Sequence, residues 1–205
     1  MERKVPDRIL SARISQNRPV ANNQWQISLK LEDGDFPDFA PGNFCMISVP
    51  TVVDPLIPRP FAIVDRKDGV YSFIYRVTGK QTKALTNLPT GFRLDVTGPL
   101  GKGFKRDSFE AGEHIFVAGG VGYASLLPLI DCLGKNAKAS LFYGVRTDME
   151  VIRKGPLVAE FASDDGSIGF KGRLHDLLKA KTFSPEAKFY VCGPTPMMRA
   201  MYPIL

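Results

Sequence analysis

Hydrophobic residues in the first half of the chain occur in short runs that suit β-strands. The clearest are residues 25–31, which alternate between apolar and polar, and residues 43–49 and 70–77. Turn-forming glycine, proline and aspartate separate these runs, which is typical of an antiparallel barrel or sandwich. Only residues 82–88 have the pattern of a short helix. We therefore expect an antiparallel β-barrel domain over residues 1–108.

The second half changes to an alternation of apolar runs with helix-like segments. Three runs predict strands, at residues 114–118, 138–144 and 187–193. Three further segments predict helices, at residues 124–133, 148–153 and 172–180. Strands that alternate with helices in this way indicate a parallel sheet. We therefore expect an α/β nucleotide-binding domain over residues 109–205, joined to the first domain by a polar stretch.

Composition and charge narrow the class of protein. The chain has 205 residues, of which 44% are hydrophobic and 23% charged, so it is neither disordered nor a coiled coil. No apolar run approaches the roughly 20 residues needed to span a bilayer, and residues 1–7 lack a secretory signal. We expect a cytoplasmic protein without membrane association. The net charge of +6 is scattered, which favours phosphate-bearing small molecules over nucleic acid.

The cysteines and histidines do not form a metal-binding pattern. Cys45, Cys132 and Cys192 are far apart, and the only histidines are His114 and His175. This spacing fits neither a zinc site nor a disulfide framework nor an iron–sulfur cluster held by this chain alone. We therefore expect no metal.

Three glycines lie where the first strand of the second half gives way to a helix. Gly119, Gly120 and Gly122 would let the backbone turn sharply and approach a pyrophosphate, and the helix start would favour an anion. The full G-x-G-x-x-G spacing is absent, because Ser125 occupies the third glycine position. A dinucleotide site and a tight turn without a ligand both remain open.

A second turn of this kind follows the last predicted strand. Cys192, Gly193 and Pro194 end the strand, and Pro196 suits the first turn of a helix. Two such turns in one parallel sheet lie at its carboxyl edge, where ligands bind. Cys192 would then lie at the site as a candidate catalytic residue, although a lone cysteine at a strand end is more often a small buried apolar residue.

Further polar residues follow the middle strands. Residues 164–167 carry two carboxylates that could accept hydrogen bonds from ribose hydroxyls, but Asp-Gly is also a frequent solvated turn, and spacing alone favours the turn. Arg146 and Asp148 follow the second strand. The arginine could favour the 2′-phosphate of NADP and the acid the ribose of NAD, so this pattern leaves the dinucleotide undecided.

The first half also carries candidate binding residues. Arg59 lies between two prolines and could bind a phosphate, while Phe61 could stack on a flat ring. Other candidate binding residues lie beside these two and in a second segment further along the chain: Pro60, Ala62, Ile74, Tyr75, Arg76, Gln81 and Thr82. Each alone is more readily structural, and their joint occurrence ahead of a nucleotide-type half is what indicates a site.

These motifs resemble those of a known family. Residues 59–62 resemble the R-x-[YFI]-[ST] flavin motif of ferredoxin reductase-like flavoproteins, and residues 119–122 and 192–194 resemble the two nicotinamide-domain motifs of that family. The match is closest to the dihydroorotate dehydrogenase electron-transfer subunit. Four segments carry this closer likeness: residues 74–82, 98–104, 164–167 and 171–172.

The resemblance implies an FAD-binding barrel followed by an NAD(H)-binding domain. In such proteins hydride passes from NADH to FAD, and electrons continue to a partner protein. Here that implies a catalytic subunit of dihydroorotate dehydrogenase, a hetero-oligomer, and a role in pyrimidine biosynthesis. The implied flavin residues are Arg59, Pro60, Phe61, Ala62, Ile74, Tyr75 and Arg76, with Gln81 and Thr82 at the pyrophosphate. The implied dinucleotide residues are Gly119, Gly120 and Gly122, with Cys192, Gly193 and Pro194 facing the nicotinamide.

Four departures from the family pattern bear on this expectation. Ala62 stands where the family prefers serine, Gln81 where it prefers glycine, and Ser125 where it prefers proline. The sequence ends at Leu205 without the four-cysteine segment that holds the subfamily's iron–sulfur cluster. We expect either a shortened form or a paralogue with another acceptor. The alternative function is a non-catalytic interaction subunit that binds a flavin or a nucleotide.

Overall fold

The chain divides into two units, Met1–Phe104 and Lys105–Leu205. The structure is a computed structural model that describes residues 9–36, 39–49 and 57–204. Residues 1–7, from which we predict that the chain has no secretory signal, lie outside these ranges. None of the helices within those ranges is long and apolar enough to cross a membrane. Nor do three or more His, Cys, Asp or Glu side chains gather there as a metal site would require.

The first unit is a closed barrel of six antiparallel strands in the order β1-β2-β5-β4-β3-β6. The strands are β1 (Leu10–Ala21), β2 (Gln24–Leu31), β3 (Phe44–Ser48), β4 (Arg59–Lys67), β5 (Val70–Arg76) and β6 (Arg93–Leu100), with helix α1 (Lys80–Thr86) before the last. The antiparallel barrel predicted from the sequence is therefore confirmed.

Alternation of side chains along the strands builds the barrel core. Ile27 and Leu29 of β2 and Leu94 and Val96 of β6 all point inward and are fully buried. Register shifts in β1, β3 and β4 interrupt the pairing. Bulges of this kind bend strands and increase their twist, which helps a small barrel to close.

The second unit contains a five-stranded sheet in the order β10-β9-β8-β7-β11. Its strands are β7 (Ala111–Gly119), β8 (Asn136–Val145), β9 (Ala159–Ser163), β10 (Phe170–Lys171) and β11 (Lys188–Cys192), and its helices are α2 (Tyr123–Ile130), α3 (Leu174–Lys179) and α4 (Thr195–Met201). All four strand pairs are parallel. The predicted α/β domain is confirmed.

The polar stretch at residues 105–113 contains a buried anchor that its composition hides. Phe109 is fully buried and lies 5.5 Å from the ring of His114 and 5.3 Å from that of Tyr190. His114 is also fully buried, with Nε2 3.1 Å from the Ala111 carbonyl and Nδ1 3.2 Å from the Tyr190 hydroxyl. The carbonyl accepts a hydrogen bond from Nε2, so both nitrogens of the buried imidazole have a partner.

The helix predicted at residues 148–153 is wrong. The structure has a single 3-10 turn at Asp148–Glu150, after which the chain is extended. Gly155 and Pro156 follow at once, and the segment has no apolar repeat long enough for an α-helix. The connection from β8 to β9, residues 146–158, borders an open pocket of about 240 Å³ that is lined partly by Tyr123, Tyr143 and Phe161.

Candidate functional site

The two glycine-rich turns of the second unit lie side by side. β7 and β11 are paired neighbours, with Cys192 opposite Ala118, so the turns that follow them start at the same sheet edge. A β-carbon on Gly122 would lie 2.7 Å from the carbonyl carbon of Cys192, and one on Gly193 would lie 3.0 Å from Cα of Gly119. These glycines are therefore required for the two turns to pack together.

Gly120 differs from its neighbours in the same turn. Its φ of +52° lies in the left-handed region, and a β-carbon there would meet nothing within 4 Å. Residues Gly120–Gly122 form a 3-10 turn that runs directly into α2, and no side chain caps the start of either segment. Backbone N–H groups at such a start favour an anion. Gly120 is thus the glycine of this turn that leaves room for a ligand.

The second turn presents its predicted residues at the surface. Cys192 is a free thiol that is partly exposed, Gly193 is partly exposed, and Pro194 is exposed as the residue that precedes α4. Pro196 lies within the first turn of α4, as the sequence predicts. These positions are accessible to a ligand held at this edge.

The ends of β8 and β9 form a polar network at the same edge. Nε of Arg146 donates to Oε1 of Glu150 over 2.8 Å, and its backbone N–H donates to Oε2 over 3.3 Å. In the turn after β9, the Ser167 hydroxyl donates to Asp165 over 2.7 Å and accepts from the Asp148 N–H over 2.8 Å. Sequence reasoning missed Glu150, although an acid four residues after an arginine at a strand end is a signal for such a pair.

The predicted flavin segments of the first unit lie next to each other in the barrel. β4 pairs with both β3 and β5, which places Ala62 opposite Phe44. The rings of Phe61 and Tyr75 pack edge to face at 5.7 Å, and both belong to the barrel core. The ring of Phe61 therefore faces the core. Alternation places Ala62 and Ile74 on the outer face, where Ala62 is partly exposed and Ile74 is buried.

Two polar groups near these segments have no partner among the described residues. Arg59 is exposed and makes no hydrogen bond or ion pair with any described residue. The Tyr75 hydroxyl is buried, and it too has no hydrogen-bond partner in the described ranges. Burial raises the pKa of Tyr75, so the hydroxyl keeps its proton and can donate. Arg76 is half-buried at the end of β5.

The start of α1 holds the two remaining predicted residues. Oγ1 of Thr82 accepts from the backbone N–H groups of Thr78 at 2.9 Å and Gly79 at 3.1 Å, so this hydroxyl stabilises the turn. The side chain of Gln81 is buried. Gln81 therefore does not cover the open space beside Gly79, where a β-carbon would meet nothing within 4 Å.

Comparison with known proteins finds electron transfer subunits among the relatives of this chain. The chain is 37% identical over 175 residues to the dihydroorotate dehydrogenase B (NAD(+)) electron transfer subunit of Geobacillus thermodenitrificans, covering 78% of this chain and 65% of that protein. It is 32% identical over 198 residues to the homologue of this subunit from Aquifex aeolicus, covering 94% and 77%. The match to the subunit of Desulforamulus reducens is 32% over 211 residues, covering 97% and 78%. No family model matches the chain.

Solved structures share the two-domain fold. The ferredoxin reductase of carbazole 1,9a-dioxygenase matches with a TM-score of 0.80 at 23% identity, over 98% of this chain and 66% of that one. An NADH-dependent reduced ferredoxin-NADP oxidoreductase matches with a TM-score of 0.76 at 25% identity, over 92% and 69%. The fold is that of the ferredoxin reductase-like proteins.

Proposed function

Because this chain belongs to the family of dihydroorotate dehydrogenase B electron transfer subunits, we propose that it is an FAD-dependent oxidoreductase module that accepts hydride from NADH and passes electrons to a partner protein. The chain spans about 65% of the length of the Geobacillus relative, so this activity is argued from the residues that are present. The observation that carries the proposal is the joining of two glycine turns at one sheet edge, with the Gly120 backbone left open.

The barrel has the chemistry that an FAD site requires. The Tyr75 hydroxyl is buried without a partner in the described ranges, and its ring lies in the barrel core rather than on the outer face. The diphosphate is anionic, and the exposed guanidinium of Arg59 can bind it through two parallel N–H groups. We assign the outer residue Ala62 to contact with the ring. When bound, FAD would supply the exchange of hydride and single electrons, which no protein side chain provides.

The role of each other residue follows from its position. Thr82 fixes the backbone of the turn between β5 and α1. The remaining backbone N–H groups of this turn therefore keep a defined orientation toward the pyrophosphate of FAD. Gly119, Gly122 and Gly193 act through packing, since they bring the two turns together. Gly120 lets the pyrophosphate of NADH approach the backbone, and Cys192 and Pro194 border the nicotinamide. Cys192 is the proposed catalytic residue at this position.

The partner is a separate chain that receives electrons. We propose a dihydroorotate dehydrogenase catalytic subunit, which makes the assembly a hetero-oligomer in pyrimidine biosynthesis in the cytoplasm. The names of the relatives support this choice.

The alternative, a non-catalytic interaction subunit, draws its support from the departures at Ala62 and Gln81. Because the Gln81 side chain is buried, it does not project into the solvent in front of the turn, which weakens that support. Ala62 removes one hydroxyl but also leaves the outer face of β4 unobstructed.

Reduction of ferricyanide by NADH in the presence of FAD separates the two functions. The oxidoreductase module turns over many equivalents of ferricyanide per protein molecule, and turnover depends on added FAD. A chain that binds FAD tightly yet reduces no ferricyanide would support the interaction subunit.

A further inference from the structure

We propose that Glu150 sets the choice between NADH and NADPH, by binding the Arg146 guanidinium so that it is withheld from a 2′-phosphate. This inference rests on the proposed function, since it concerns the same dinucleotide site. It also decides the question that Arg146 and Asp148 leave open in the sequence.

The position of Arg146 in the sheet is the first step. β8 is the strand that follows the glycine turn and α2, and it lies beside β7 with Gly144 opposite Gly119. In parallel dinucleotide-binding sheets, the residues that follow this next strand reach the adenosine ribose. Arg146 is the residue directly after β8, and Asp164 directly follows the neighbouring strand β9. Arg146 and Asp164 therefore lie where the protein would contact the 2′-hydroxyl or 2′-phosphate of the adenosine ribose.

The contact between Arg146 and Glu150 is the second step. Nε and Nη2 of Arg146 both donate to Oε1 of Glu150, and the Arg146 backbone N–H donates to the other carboxylate oxygen. The Glu150 side chain is only 5% exposed, while that of Arg146 is 59% exposed. A nearly buried carboxylate depends on this partner, because an unpaired buried charge is costly. The pair also raises the pKa of Arg146.

The surrounding charges are the third step. Asp148, Asp164 and Asp165 lie on the two turns that frame Arg146, and Arg173 approaches Asp164 at 3.5 Å. With Glu150 these make four carboxylates against two guanidinium groups. Hydrogen bonds from Ser167 lower the pKa of Asp165, so it is charged at neutral pH. A 2′-phosphate of charge about −2 is repelled here, whereas carboxylates accept hydrogen bonds from the ribose diol.

Isothermal titration calorimetry with NAD⁺ and NADP⁺ on the FAD-loaded full chain tests the proposal without any turnover. These two probes differ only in the 2′-phosphate. The wild type should bind NAD⁺ more tightly. Glu150→Gln removes one negative charge and frees Arg146, so the ratio of NADP⁺ to NAD⁺ affinity should rise by about fivefold or more. The double variant Glu150→Gln with Arg146→Gln should lose that gain.

Glu160→Gln is the matched control. Glu160 pairs with Lys181 at 2.6 Å and lies near the start of β9, away from the carboxyl edge of the sheet. The substitution therefore removes the same charge without freeing Arg146. A ratio in Glu150→Gln no different from that in Glu160→Gln would overturn the inference while leaving the proposed function intact. Failure of wild type to bind either dinucleotide would instead count against the proposed function.

A second variant protects the test if Glu150→Gln does not fold. Arg146→Gln combined with Glu150→Gln removes the pair without leaving a buried charge unpaired, and it should leave NADP⁺ affinity within about twofold of wild type, because the wild-type arginine is already committed to Glu150. A larger selective loss of NADP⁺ binding would mean that Arg146 reaches the 2′-phosphate despite Glu150, and would overturn the proposal.

Discussion

Gly122 and Cys192 come so close that the two turns leave no room for a side chain between them. A β-carbon on Gly122 would lie 2.7 Å from the Cys192 carbonyl carbon and 2.9 Å from the next backbone nitrogen. Both neighbours are backbone atoms, which cannot rotate away as a side chain would. The glycine motif thus has a packing role that is separate from ligand binding.

Gly122→Ala is expected to lower the free energy of unfolding by about 3 kcal/mol, because an added methyl must separate two packed turns. Gly120→Asn is the matched control in the same turn. Its side chain enters open space, so only the left-handed backbone opposes it, at about 1 kcal/mol. Urea unfolding followed by circular dichroism measures both. Equal losses in the two variants would contradict the close packing of the turns.

Arg59→Ala should weaken FAD binding by about tenfold or more, since a charged hydrogen bond to the diphosphate is lost. Stability of the FAD-free protein should hardly change, because Arg59 is exposed and unpaired among the described residues. Quenching of flavin fluorescence on titration gives the affinity. Arg153→Ala, which removes an exposed arginine from the second unit, is the control; a similar loss there would point to a general charge effect.

Tyr75→Phe should raise the free energy of unfolding of the FAD-free protein by about 1 kcal/mol, because it removes a buried hydroxyl without a partner. The same change should leave FAD binding unchanged, because the Tyr75 ring lies in the barrel core, on the face of β5 opposite to the outer face assigned to the ligand.

Tyr71→Phe is the natural comparison, on the same strand β5. The Tyr71 hydroxyl donates to Asp35 and accepts from the Phe36 N–H at 3.2 Å, so its removal should destabilise the barrel and leave FAD binding unchanged. Destabilisation by Tyr75→Phe with no loss of FAD affinity would show that the Tyr75 hydroxyl is a structural group.

Thiol labelling with iodoacetamide at pH 8 should distinguish the cysteines. Burial raises the pKa of Cys45 to about 12, so almost no thiolate forms and labelling requires unfolding. Cys192 is partly exposed and should react first, and NAD⁺ should slow it. Burial also raises the pKa of Cys132, which serves as the internal control that NAD⁺ leaves unchanged. If NAD⁺ slows the labelling of both Cys192 and Cys132, or of neither, the result would contradict the placement of Cys192 at the nicotinamide.

The sequence carries the architecture more clearly than the site. The alternation of apolar and polar residues at 25–31 predicts a strand, and the glycine turn after residue 118 predicts a strand-to-helix connection. Both features can be predicted because they depend on local backbone geometry. Phe61 shows the limit: its position in a flavin-like motif suggests a stacking ring, but the barrel register turns that ring into the core. Which face a side chain occupies depends on pairing that is remote in the chain.

The Arg146–Glu150 pair shows a second limit. The sequence places an arginine and several acids near one strand end, and either dinucleotide fits that pattern. Only the 3-10 turn at Asp148–Glu150, which replaces the predicted helix, brings the carboxylate of Glu150 back to the guanidinium. A short turn of this kind leaves no periodic signal in the sequence.

The visible absorption spectrum of the FAD-loaded protein, recorded before and after addition of NADH without oxygen, tests the central claim most directly. The account predicts flavin bands that NADH bleaches. Flavin bands that NADH leaves unchanged would contradict hydride transfer within this chain, and a colourless protein that refuses added FAD would contradict the assignment of Arg59 and Ala62 to a flavin site.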